Sequence, residues 1–212
     1  MTVITKLMLS ALAAGFVLVA CLGSASTKQA ATDGPTYTKD NQLLRPADYR
    51  NWVYLSASVG LQYGPNAPAN PAFENVYVNP TAYQAFEKTG KWPDKTMFVL
   101  ELRRLLDKGT FARGGQYQGE LIALEAAVKD ESRFPEKWAY FGLGASAPSA
   151  QPIPKTAGCF SCHVTNGAVE NTFAQFYPTV LAIAKQKGTL NPGYLETQKT
   201  KDATEGHATV KQ

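Results

Sequence analysis

From about residue 43 to residue 143 the apolar positions come in short runs separated by Gly, Pro, Asn and Asp, which is the punctuation of strands rather than of long helices. Trp52-Val53-Tyr54-Leu55-Ser56-Ala57-Ser58 is rich in strand formers. A Gly/Pro/Asn-rich loop from Gly60 to Pro71 leads from it to a second short strand, Asn75 to Val78, so a hairpin or meander begins here. Asn79-Pro80 supplies an N-cap and a first-turn proline for a short helix over Thr81 to Lys88, which Gly90 closes. Met97 to Leu102, Tyr117 to Val128 and Trp138 to Leu143 read as three further strands. After a Pro/Ala/Ser stretch from Gly144 to Pro154 the period changes. Phe173, Phe176, Val180, Leu181 and Ala184 then fall on one helical stripe running to about Lys187, with Pro178 either kinking that helix or starting a new one.

The two ends lack such patterning. Lys6 precedes an apolar stretch from Leu7 to Val19, the length of an export-signal core and shorter than the ~20 residues of a membrane span. Two cleavage sites are available. Leu18-Val19-Ala20-Cys21 matches a lipoprotein site that leaves Cys21 as a lipid-bearing N-terminus, whereas Ser24-Ala25-Ser26 offers small residues to the ordinary peptidase. The expected organisation is a signal over residues 1–26, a flexible tether over 27–42, one domain over 43–190 and a disordered tail over 191–212, which has no apolar face. The expected location is periplasmic or exported, with contact to the membrane only through a lipid on Cys21.

Composition narrows the chemistry. The 212 residues are enough for one domain plus additional segments, and three cysteines with two histidines exclude a disulfide-dense scaffold, a multi-histidine metal enzyme and a multi-finger zinc protein. The net charge of +4 is scattered, with no basic run interleaved with aromatics, so nucleic acid is not an expected partner.

Cys159-Phe160-Ser161-Cys162-His163 is a C-x-x-C-H sequence, which in an exported protein points to attachment of one c-type haem. Two thiols three residues apart on a helical turn reach the two vinyl groups of one porphyrin, and the adjacent histidine reaches its iron. A disulfide or redox pair is the alternative, but no βαβ setting surrounds it; a zinc site would need two further ligands, and His207 is the only other histidine. The second axial position decides the function. Met1 and Met8 lie in the signal, Met97 begins a strand, and no methionine follows His163. The iron is therefore expected to be five-coordinate, while Lys88, Lys91 and Lys95 read as surface charges.

The blocks Leu44-Arg45-Pro46-Ala47-Asp48-Tyr49-Arg50-Asn51-Trp52-Val53, Val76-Tyr77-Val78-Asn79-Pro80, Lys88-Thr89-Gly90-Lys91-Trp92-Pro93-Asp94 and Leu124-Glu125-Ala126-Ala127-Val128-Lys129-Asp130, followed by the haem motif and Phe176-Tyr177-Pro178, resemble the cytochrome P-460 superfamily in order and spacing. The resemblance implies an α+β fold: a mainly antiparallel β-sheet with a few helices, one haem held by a C-terminal helical segment against the sheet, and a homodimer. In the hydroxylamine-oxidising branch, a strand lysine just after the T-G-x-x-x-D segment bonds to the porphyrin edge. Leu100 stands at that position here, so the resemblance is to the cytochrome c′-beta branch, whose apolar pocket binds NO and CO.

Strand alternation places Phe98 and Leu100 on one side, as a cap over the distal iron site. Glu74 falls near the position of the other branch's distal basic residue. Glu125 matches a glutamate that branch carries, and is either a catalytic base or a strand-edge carboxylate. Phe73 reads as core or pocket, and Trp52, Trp138 and Phe176 as core and haem-packing aromatics. The expected function is binding of a small diatomic ligand by a monohaem cytochrome. The alternatives are oxidation of hydroxylamine or NO, and electron transfer with a redox partner protein.

Overall fold

Alternating apolar residues on two long strands and three shorter ones build the centre of the molecule. The computed structural model describes residues 33–61, 63, 71–107, 111 and 113–208; the expected signal, Cys21 and most of the 60–71 loop lie outside the described residues. Strands β2 (Val53–Val59), β3 (Ala72–Val78), β4 (Met97–Leu106), β5 (Tyr117–Lys129) and β6 (Trp138–Gly144) pair antiparallel in chain order. A two-stranded sheet of β1 (Leu43–Leu44) and β7 (Ser149–Ala150) lies beside them. With helices α1 (Pro80–Thr89), α2 (Cys159–Asn166), α3 (Pro178–Lys187) and α4 (Pro192–Ala208), the fold is α+β, as expected.

The side-chain period of two gives the large sheet two apolar faces. Val78, Phe98 and Trp138 bury one face against Phe86 of α1, Val180 and Ala184 of α3, and Trp92. Met97, Val99, Leu124, Val128, Phe141 and Leu143 bury the other face together with Leu43, Tyr49 and Trp52. One acid lies within this second face. Glu101 is 2% exposed and accepts from Tyr49 Oη at 2.6 Å, Arg50 Nε at 2.9 Å and Asn75 Nδ2 at 3.1 Å, with Arg103 Nε at 3.1 Å. Burial pushes its carboxyl up, but the bonds from Arg103, Tyr49 and Arg50 outweigh burial and hold it at about 2.

The expected strands and the first helix are present, and Pro178 starts a new helix, α3, behind a single 3₁₀ turn at Ala174–Phe176. The described residues next to both ends, 33–42 and 191–208, differ from the sequence reading. Part of the expected tether is tied down. Asp33 Oδ2 accepts from Thr81 N at 2.7 Å, Tyr37 Oη reaches Asp130 Oδ2 at 3.3 Å, and Tyr37 bridges to Leu43. Asp33 thus caps α1 from a distance, while the sequence-adjacent Asn79 turns its Oδ1 to Met97 N at 2.8 Å.

The tail expected to be disordered contains α4. Its start is fixed by Asn191, whose Nδ2 donates to the carbonyls of Gly167 and Glu170 at 2.8 Å each, while Leu190 and Tyr194 pack on the core. Tertiary anchors replace the amphipathic pattern the segment lacks. Among the described residues no helix is long and apolar enough to cross a membrane.

Candidate functional site

Gly158, at φ 84°, turns the chain in the left-handed region and opens α2 at Cys159. Cys159 and Cys162 lie one turn apart on α2, both free and half-buried, with His163 beside them. The helix ends at Gly167, where the following chain folds back as a turn from Val169 to Thr172. A Cβ at Gly167 would meet Glu170 O at 2.5 Å and His163 O at 2.8 Å, so only glycine lets this turn close on the helix end.

The turn presents the Asn171 carbonyl to His163 Nδ1 at 2.9 Å. With Nδ1–H donating there, Nε2 is the nitrogen left to bind a metal. Phe173 stacks on the imidazole at 4.1 Å and Tyr140 lies against it at 4.3 Å. Burial lowers the pKa of His163, more than its bond to Asn171 raises it, which favours the neutral, metal-binding form.

Opposite α2 stands the first face of the large sheet, and between them is a mostly apolar cavity of about 410 Å³. Phe98, Leu100, Glu125 and Phe176 line it together with Cys159, Cys162 and His163, so the residues singled out in the sequence converge on one space. The register explains why. Leu100 pairs with Val76 on one side and Glu125 on the other, and Phe98 pairs with Val78 and Ala127, which stacks alternate residues of three strands on the cavity face.

The same alternation removes other candidates. Met97 sits in the core on the far side of the sheet, as do Trp52 and the side of β3 that carries Phe73; Trp52 is therefore core and does not pack on the cavity. Trp138 packs beside Phe98 in the near core. Lys95 is paired with Asp130. Among the described residues, the cavity wall holds no methionine, no lysine and no second histidine.

The cavity is less uniformly apolar than expected. Glu74 lines it, 9% exposed, accepting from Ser58 Oγ at 2.8 Å. Burial raises its pKa, partly offset by the bonds from Ser58 and Leu61 N–H. Glu125 lines the cavity and is exposed to solvent, and its pKa is raised by desolvation and then by the charge of Glu74. Tyr63, stacked on Phe173 at 5.8 Å, also lines the cavity with its phenol pushed up to about 12, chiefly by burial.

The Cytochrome P460 family model matches residues 46–174, which span the sheet, the C-x-x-C-H helix and the turn that faces His163. The chain belongs to the cytochrome P460 family. No curated protein matches it. As a cytochrome P460 it is a haem-binding cytochrome with iron as its metal. The residues present fit that group: an apolar cavity against the sheet, two free thiols and a neutral imidazole whose other nitrogen is already bonded.

Sequence reading missed several residues that shape this cytochrome P460 site. Asn171, Tyr140 and Glu170 had no signal. Asn171 acts through its backbone carbonyl, which is independent of side-chain type, and Tyr140 read only as a strand aromatic. Glu74 was marked as a position, and its place inside the cavity follows from its pairing with Leu102 on the face of Leu100.

Proposed function

We propose that this chain is an exported monohaem c-type cytochrome that binds a small neutral diatomic ligand such as NO or CO. Cys159 and Cys162 form the thioethers, His163 ligates the iron, and Phe98 and Leu100 cap the opposite face. One observation carries the reading: among the described residues lining the cavity, His163 is the single histidine and there is no methionine or lysine to take the second axial position, Met97 lying on the far side of the sheet. Apolar walls favour an uncharged ligand over a polar substrate that needs hydrogen-bond partners.

Electron paramagnetic resonance on the resting ferric protein tests this. A high-spin signal that gives way on addition of NO is expected; a low-spin six-coordinate signal without added ligand overturns it in favour of electron transfer to a redox partner. Oxidation of hydroxylamine or NO is a second reading, favoured by the two carboxylates in the cavity, with Glu125 as the base. Steady turnover on hydroxylamine, lost in Glu125→Gln, would establish it.

Periplasmic location, a lipid on Cys21 and a homodimer belong to the same proposal. Fatty-acid labelling that disappears in Cys21→Ser, and sedimentation of the soluble domain, test them.

A further inference from the structure

We propose that Glu170, held by Lys129, is a positioning residue for the iron ligand, setting through the Asn171 carbonyl how strongly His163 donates to the metal. Every polar group of Glu170 is bonded. Its Oε1 accepts from Trp92 N at 3.1 Å, and its Oε2 from Lys129 Nζ at 2.8 Å and Trp138 Nε1 at 3.3 Å. Its N–H donates to Asn191 Oδ1 at 3.1 Å, and its carbonyl accepts from Asn191 Nδ2 at 2.8 Å. Lys129 also donates to Trp92 O at 2.7 Å, and Trp92 Nε1 donates to Thr172 Oγ1 at 3.1 Å, so the residues on either side of Asn171 are both fastened to one tryptophan, which Lys129 in turn ties to Glu170.

Two features separate this clamp from ordinary packing. Glu170 has φ 48°, a left-handed conformation that costs energy for any residue but glycine and persists only where the surroundings impose it. The Lys129 side chain is only 9% exposed, and a buried ion pair is a weak source of stability compared with apolar residues of the same size. What the clamp does specify is geometry: it holds Asn171 O at 2.9 Å from His163 Nδ1, and the Tyr140 hydroxyl shares that oxygen at 3.2 Å.

A firm Nδ1–H···O bond gives the imidazole more anionic character, which strengthens its bond to iron and favours the ferric state. Loosening the turn weakens that bond. Removing the Tyr140 hydroxyl, which competes for the same oxygen, strengthens it.

The test is resonance Raman of the ferrous haem protein, reading the iron–histidine stretch, with the midpoint potential measured alongside. Glu170→Ala and the milder Glu170→Gln and Lys129→Met should lower the stretch and raise the potential. For Glu170→Ala the expected shift is on the order of tenfold in the reduced-to-oxidised ratio at fixed potential, or about 59 mV for one electron. Tyr140→Phe should move both in the opposite sense, which a general loosening of the fold would not do. Unchanged values in folded Glu170→Gln and Lys129→Met, or a shift of the same sign in Tyr140→Phe, overturn the inference. It rests on His163 as the iron ligand. Absence of the iron–histidine band in the unmodified protein would defeat the five-coordinate reading of the proposed function, whereas a band that is present and unmoved in the variants defeats the clamp alone.

Discussion

Phe98 is the residue at which the core and the proposed ligand pocket meet, and its truncation separates the two roles. The ring is 5% exposed, edge-on to Trp92 at 4.7 Å, and 6.3 Å from both Trp138 and Tyr177, while one side lines the cavity. Truncating a buried Phe to Ala costs about 3–5 kcal/mol, and a well-placed aromatic pair contributes roughly 0.5–1.5 kcal/mol of such a loss. Because one side of the ring faces a cavity instead of packed atoms, the lower end applies, and Phe98→Ala should lose about 3 kcal/mol. Phe98→Leu keeps a branched apolar group and should lose about 1 kcal/mol.

Urea denaturation of the haem-loaded protein reads these losses. Rebinding of CO after flash photolysis reads the pocket: a smaller cap should speed both entry and escape in the Leu variant, whose fold is nearly intact. A loss below about 1 kcal/mol for Phe98→Ala would show that the ring is not packed as described. Unchanged CO kinetics in both Phe98→Leu and Leu100→Ala would refute the placement of these residues over the iron.

Three further outcomes follow from the same structure. Glu101 is held at about 2 against an ordinary 4.5, so its ionised form stabilises the fold by about 3 kcal/mol above pH 4.5, and this contribution is lost as pH falls toward 2. Glu101→Gln should lower stability at pH 7 and flatten the acid limb of a denaturation-versus-pH curve; a wild-type acid limb in the variant would contradict the assignment. Glu125 is shifted the other way, so keeping it ionised opposes folding once pH rises above its ordinary 4.5. Glu125→Gln should therefore raise the melting temperature at pH 7 and leave it unchanged near pH 4, and an equal gain at both values would be inconsistent with the shift. Cys159→Ser and Cys162→Ser should each leave one thioether and a red-shifted pyridine haemochrome band, while the double variant releases its haem on acid–acetone extraction; haem retained by the double variant would rule out thioether attachment at these cysteines.

The boundaries of legibility follow from how far each interaction reaches along the chain. Strands β2 to β6 and helix α1 were visible because burial of a strand face or helix stripe imposes a short period on the residues themselves. The haem motif was visible for the same reason, since one helical turn brings Cys159, Cys162 and His163 together without any other part of the fold. Residues 33–42 and the start of the 191–208 segment differ from the pattern because their order comes from partners far along the chain: Asp33 on Thr81, Tyr37 on Asp130, Asn191 on Gly167 and Glu170.

The chain by itself thus determined the C-x-x-C-H turn, the alternation that puts Phe98 and Leu100 on one side, and the family to which both belong. Only the tertiary structure decided that this side faces His163 while Met97 faces away, since the absolute direction of a strand face depends on which layer packs against it. It likewise decided that Glu74 and Glu125 share the cavity and that a turn clamped by Glu170 holds the imidazole. Those contacts join residues with no common period, and a sequence pattern records periods, not the partners that distant segments meet when they fold.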